Sequence, residues 1–182
     1  MSKKETINWK KEIISFVKTL LFSFVSVYFF TSFIAKPVRV EGSSMYPTLH
    51  NGDLGFSSLM NLGDIERFDI VVVYLAERDK YVVKRVIGLP GDTLSMKEDQ
   101  LFINGELIEQ NFLNKDYIAS QIYGGFFTND IDEITLDLDE YFLLGDNRVN
   151  SQDSRYYGPF KRSQLISKGI FIFYPFGDWG LK

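Results

Sequence analysis

Cysteine is absent from the 182 residues. That excludes a disulfide framework, a thiolate metal site and a cysteine nucleophile. A basic stripe is also missing. Beyond Ala35 the chain carries 15 basic against 22 acidic residues, a net charge of −7. Such a domain is a poor partner for nucleic acid, and none is expected. It is equally ill suited to electrostatic docking on anionic lipid. Repeats and low-complexity tracts are lacking. Histidine occurs once, as His50 in the turn Leu49-His50-Asn51-Gly52, so any serine–histidine–aspartate hydrolase would depend on that one ring. The Ser-x-x-Lys pattern of penicillin-binding enzymes falls at Ser15-Phe16-Val17-Lys18, inside an apolar run, and is discarded.

What is present is apolar and aromatic. With 45% hydrophobic residues and 17 Phe, the chain is not a disordered one. About 147 residues follow Ala35, enough for one packed core. The 17 residues Thr19 to Ala35 are uncharged, and Ile13 to Val17 lengthen the run across the single charge of Lys18. About 20 helical residues cross a bilayer core, and a lysine near one end can snorkel to the headgroups. A cleaved signal peptide would have a shorter apolar core and small residues at its cut, which Phe33-Ile34-Ala35 does not provide. Residues 13–35 are therefore expected to be a retained transmembrane anchor. Residues 1–35 carry five basic and two acidic groups, a net +3, mostly before the apolar run. This puts residues 1–12 in the cytoplasm and residues 36–182 on the outer side of the cell membrane.

After Lys36 the patterning is that of short strands. Val38 to Glu41 alternates, and Phe68 to Leu75 and Tyr81 to Leu89 are rich in Val and Ile. Asn104-Gly105 between two apolar runs predicts a hairpin over Leu101 to Ile108. Tyr141–Leu144 and Gly169–Tyr174 add two strands. Residues 109–140 are acidic and less regular, so about 93–140 reads as a small inserted lobe. The expected fold is mostly β, with one N-terminal transmembrane helix.

Three polar segments stand out against this framework. Gly42 and Pro47 around Ser44 predict a turn that exposes the hydroxyl and aims the Ser44 N–H outward. On composition alone such a segment is more often a surface turn. Lys84 interrupts the run Val82-Val83-Lys84-Arg85-Val86-Ile87. A lysine at its ordinary pKa is charged and cannot be a base, but an apolar environment lowers that pKa. Strand alternation puts Lys84 on one face and Arg85 on the other. One cation then faces the core while the other pairs with a carboxylate; the alternative is an edge strand with two solvated charges. Gly145 to Arg155 is a polar loop at a strand end, suited either to orienting a buried lysine or to capping its own backbone.

Together these segments resemble the type I signal peptidases, the membrane-bound serine–lysine enzymes that remove signal peptides from exported proteins. The likeness runs in order through the anchor, Glu41–Leu49, Arg67–Val72, Lys84–Asp92, Gly145–Arg155 and the aromatic strand Gly169–Phe176. It implies two antiparallel β-sheets of the signal peptidase type. It also implies a Ser44 nucleophile, a Lys84 general base, and a Ser151 that orients the amine. Asp153 and Arg155 become a supporting pair, Arg85 and Asp146 a structural ion pair. No metal or cofactor is implied. Gly42 stands where some members carry a hydroxyl that helps bind the oxyanion, and Val149 where many have aspartate. The implied partners are preprotein signal peptides, with small residues at the first and third positions before the cut. Met45, next to the nucleophile, is expected to contact them. Membrane lipid is a further expected partner, through Phe56–Met60 and Phe171–Trp179, although Phe171 and Phe173 read somewhat better as core. The competing function is a non-catalytic assembly factor on the same scaffold, binding secreted or pilin precursors.

Overall fold

A computed structural model describes residues 8–60, 63, 65–122 and 125–182. The N-terminal charges at Lys3, Lys4 and Glu5 lie outside them. Helix α1 spans Trp9–Phe29, capped by Asn8, whose side chain accepts from Lys11 N, and ends in a π-helical turn over Phe30–Ile34. No residue of either segment is buried; the π turn meets the rest of the chain through Phe30, whose ring lies 5.8 Å from that of Phe56. The helix begins four residues before the expected start at Ile13, since the Asn8 cap favours nucleation there.

The π turn runs directly into β1 (Ala35–Arg39), which pairs antiparallel with β2 (Leu54–Ser58). Then come β3 (Ile70–Leu75), β4 (Lys80–Gly88), β5 (Thr93–Lys97), β6 (Gln100–Ile103) and β7 (Glu106–Ile108). After α2 (Lys115–Gln121) follow β8 (Ile131–Thr135), β9 (Glu140–Leu144), α3 (Ser154–Tyr157) and β10 (Phe160–Lys161). The chain closes with β11 (Leu165–Tyr174) and β12 (Gly180–Leu181). Two sheets result. The larger has the order β1-β2-β11-β3-β4-β9-β10, with β12 added to β11; the smaller has the order β7-β6-β5-β8. Every strand pair is antiparallel.

The Asn104-Gly105 hairpin forms as expected, with both residues at positive φ, 52° and 83°. The inserted lobe is more regular than its composition suggests. It holds the whole smaller sheet and α2, which Asn114 caps by accepting from Tyr117 N. Its strands are short and its outer face is charged, so the apolar period is weak in sequence. The core has three parts. One lies around Val71, Val73, Val86 and Leu143, and one around Ile87, Leu94, Leu101 and Phe142 where the two sheets meet. The third contains Val40, Met45, Leu49, Ile170 and Ile172. Phe171 and Phe173 are not core: Phe171 is 37% exposed and Phe173 half-buried. They sit at β11 positions facing away from Ile170 and Ile172, the buried side of the strand.

Gly88 lies at a close approach of the two sheets. A Cβ there would lie 2.5 Å from Leu94 Cδ2, 2.7 Å from Leu136 Cδ1 and 3.0 Å from Phe142 Cβ. Overpacking of this kind costs about 1–3 kcal/mol or more. Gly88→Ala is expected to lower stability by that amount in denaturant unfolding. Stability equal to the parent would show that the sheets are not clamped at this point.

Candidate active site

The segment between β1 and β2 turns over Ser44–Thr48, with Gly42 at a φ of 85° and a cis Tyr46–Pro47 peptide. Its apolar side chains anchor it from below: Met45 and Leu49 are 2% and 0% exposed. The loop after β9 holds it from the side. Asn147 N donates to Ser44 O (3.0 Å) and Asn147 Nδ2 to Ser43 O (3.0 Å). Asn150 Nδ2 reaches Ser43 Oγ at 3.0 Å, and Thr48 Oγ1 donates to Asp146 Oδ2. Gly145 permits this contact, because a Cβ would run into the Ser44 carbonyl and the Ser151 side chain.

Lys84 comes from the middle of β4 and is 3% exposed. Its Nζ donates to Ser44 Oγ at 2.8 Å and to Val83 O at 3.0 Å. Burial drives its pKa down to about 8; Asp153 and Asp146 pull it up, while Lys80 and Arg155 push it down. With a pKa of about 8, roughly a tenth of such amines are neutral at pH 7, and the neutral form lies within reach of a hydroxyl proton.

Arg85, on the opposite face of β4, grips Asp146 with both prongs, Nε to Oδ1 at 2.8 Å and Nη2 to Oδ2 at 2.6 Å. Its Nη1 donates to Phe68 O, and its guanidinium lies 4.3 Å from the centroid of the Phe112 ring. Asp153 is fully buried and held the same way by Arg155, at 2.8 Å through Nε and 2.8 Å through Nη2. Burial raises the Asp153 pKa, but Arg155 and the Gly145 N–H outweigh it and keep the carboxyl below its usual range. Ser151 lies beside Gly145, and its buried Oγ meets hydrogen-bond geometry with no group among the described residues. It is close enough to help hold the Asp153 charge, yet the second acceptor of the Lys84 amine is the Val83 carbonyl.

Sequence reasoning singled out the charge pairs but missed Arg148. This side chain is 3% exposed and has no carboxylate partner among the described residues. It donates to Gly145 O (3.1 Å), Thr128 Oγ1 (3.1 Å) and Gln110 Oε1 (2.7 Å), which sew the loop to the inserted lobe. Burial lowers its pKa to about 10. Thr48, Asn147 and Asn150 were missed as well. The signal was present in the density of polar groups between Gly145 and Arg155, but spacing does not say which of them reach back about 100 residues.

A cavity of about 520 Å³ opens above Ser44, lined by Val38, Val40, Met45, Val72 and Val83 among others. β1 ends the sheet order, and β4 pairs with β9 only from Arg85 onward. The outer edge of β1 and that of Lys80–Val83 are thus both unpaired, and both line this one cavity. His50 is not placed against the serine; its neighbours are Asp178, 3.2 Å away, and the ring of Tyr46.

The family model described as signal peptidase, peptidase S26, matches residues 13–174. Signal peptidase I S of Bacillus subtilis (strain 168) is 40% identical over 181 residues, covering 97% of each chain. Signal peptidase IB of Staphylococcus aureus (strain COL) is 33% identical, covering 93% of this chain and 94% of its own. A crystal structure of a signal peptidase I from Enterococcus faecalis V583 covers 58% of this chain and 96% of its own, at 33% identity and a TM-score of 0.49. On the family match and these identities, the chain belongs to the signal peptidase family, peptidase S26.

Proposed function

We propose that the protein is a membrane-anchored signal peptidase I, a serine endopeptidase that cuts signal peptides from exported preproteins with Ser44 and Lys84. The observation that carries this reading is the 2.8 Å contact between a buried lysine amine and one serine hydroxyl at the floor of an apolar cleft. Neutral Lys84 takes the Ser44 proton, and Oγ attacks the scissile carbonyl. The Ser44 N–H faces the developing oxyanion. The leaving amine takes the proton back from Lys84; water, deprotonated by Lys84, then attacks the acyl carbon, and Ser44 Oγ leaves with the proton that Lys84 returns. Arg85–Asp146 and Asp153–Arg155 hold the loop around the dyad, with Ser151 beside it. Met45 forms part of the cleft floor.

The substrate binds as an extended strand between the two unpaired edges, β1 and Lys80–Val83, in the manner of strand addition. The helix Trp9–Ile34 is long and apolar enough to cross a membrane. The excess of basic residues before its apolar run, four lysines against two glutamates in residues 1–12, favours a cytoplasmic N-terminus and an outward-facing cleft. Lipid contact falls to the exposed Met60, Tyr174, Phe176, Trp179 and Leu181, with Phe171 at their margin. Phe56 stacks under this group, 5.3 Å from Phe173 and 5.8 Å from Phe30 at the end of the anchor.

Ser44→Ala and Lys84→Ala are each expected to reduce cleavage of a synthetic signal-peptide substrate by about three orders of magnitude or more. Cleavage within tenfold of the parent in either variant would remove the dyad, and an inactive parent with clean substrate binding would favour the assembly-factor reading. With the amine titrating at about 8, kcat/KM rises with pH and levels off above that value. At pH 6 it falls roughly 100-fold below the plateau, two pH units under the pKa of the base. A profile flat from pH 6 to 9 would rule out Lys84 as the base.

The same burial has a cost to the fold. A lysine pKa lowered from 10.5 to about 8 means that the folded protein holds this proton less well than the unfolded chain. The destabilisation is fully present below about 8 and disappears as pH rises toward 10.5. Lys84→Met is therefore expected to be inactive yet more stable at pH 7, by up to roughly 3 kcal/mol. The gain shrinks above pH 8. A variant less stable than the parent at pH 7 would contradict the desolvation account.

A further inference from the structure

The one histidine of the chain lies outside the dyad, in a cluster with no assigned role. His50 opens the turn after the serine segment and Asp53 closes it. Asp178 arrives from 125 residues further on, in the 3₁₀ turn Phe176–Asp178 between β11 and β12. One ligand atom from each of the three lies within 4.8 Å of the other two. Asp53 is 1% exposed, and its carboxylate accepts from the backbone N–H of His50 at 2.8 Å. Among the described residues no lysine or arginine pairs with Asp53 or Asp178.

Two independent features call for a positive ion here. The first is electrostatic: a fully buried carboxylate sits beside a second carboxylate, and among the described residues no lysine or arginine lies against either, an arrangement that desolvation and like-charge repulsion both oppose. The second is geometric. His50 Nδ1 is buried and makes no hydrogen bond, although Asp178 Oδ2 is only 3.2 Å away. A ring nitrogen and a carboxylate oxygen held that close without hydrogen-bond alignment have the spacing of two ligands on one ion. With metal–ligand bonds of about 2.0–2.2 Å in a tetrahedral site, neighbouring donors lie roughly 3.3–3.6 Å apart, close to the spacing seen here.

We propose that His50, Asp53 and Asp178 bind a divalent transition-metal ion of the zinc class. One imidazole and two carboxylates suit Zn²⁺, Co²⁺ or Mn²⁺, whereas Ca²⁺ and Mg²⁺ take oxygen ligands. The backbone N–H of His50 orients the Asp53 carboxylate, as an outer partner of a metal ligand does. The ion joins the serine segment to the C-terminal aromatic turn. On one side the Tyr46 ring stands edge-on to His50 at 5.1 Å. On the other, Phe176 and Trp179 flank Asp178. The bound ion is a clasp between these segments and takes no part in the acyl transfer, so the inference stands whether or not Ser44 and Lys84 are the dyad.

The test uses the untagged full chain in detergent, stripped with a chelator and titrated with Zn²⁺ by calorimetry. One Zn²⁺ per chain is expected. His50→Ala and Asp178→Asn should each weaken binding about tenfold or more, while Glu77→Gln, at an exposed carboxylate elsewhere, should not. Binding within twofold of the parent in both cluster variants overturns the site, as does the absence of saturable binding at about 1 mM. A second readout needs no change in the cluster. In Trp9→Phe the remaining tryptophan is Trp179, next to Asp178. Its fluorescence should be quenched by Co²⁺ to an end point of one equivalent and restored by Zn²⁺. Unquenched Trp179 at saturating Co²⁺ also overturns the proposal. In chelator, His50→Ala should cleave substrate within twofold of the parent; a large loss would put His50 in the chemistry and overturn the clasp.

Discussion

The desolvation of one amine governs this structure. Lys84 is buried in β4 among Val82, Val83, Val86 and Ile87, and the neighbouring carboxylates, Asp146 and Asp153, would keep it charged if they were free to do so. They are not. Each is locked bidentate by its own arginine, Arg85 and Arg155. The two pairs are nearly neutral units at short range, so their pull on Lys84 is largely cancelled and burial decides its pKa. A single unpaired carboxylate in the same place would make an ordinary buried salt bridge and keep the amine charged.

That arrangement explains why so much of the molecule is tied to the Gly145–Arg155 loop. The loop supplies both carboxylates and also the amide groups that fix Ser43 and Ser44. Arg148 extends the same network into the inserted lobe, through acceptors that are all neutral. A buried guanidinium without a carboxylate is costly, and the Phe112 ring at 6.0 Å and the Met96 sulfur at 3.9 Å are its remaining neighbours. The lobe is accordingly part of the site's support. Phe112 lies under both Arg85 and Arg148, so the same ring backs the ion pair and the stitch.

The strands richest in Val and Ile were legible in sequence, because their apolar runs are long and bounded. β3 and β4 match expectation within two residues at either end. The contrast between Lys84 and its neighbours was legible for the same reason: a charge inside such a run must be solvated, paired or neutral. β2 was not legible, since Leu54-Gly55-Phe56-Ser57-Ser58 alternates its burial using glycine and serine on the inner side. Gly55 is required there because the Phe171 carbonyl comes to 2.6 Å of its Cβ position. Nor could the approach of Asp178 to His50 be seen. It depends on β11 pairing with β2, a register that no local pattern encodes.

Unpaired strand edges usually invite aggregation. Here the two edges that matter, β1 and the first half of β4, both line one cleft of about 520 Å³. β1 is restrained further, because the apolar helix runs into it without a linker: Leu59 N donates to Ile34 O across the junction, and Phe30 stacks on Phe56. With Ser44 nine residues beyond Ala35, the extended chain sets an upper limit of roughly 30 Å between the anchor's end and the hydroxyl. A direct junction and a short reach keep the cleft near the end of that helix. Under the proposed function, selectivity comes as much from where the edges are held as from the small apolar surface they expose.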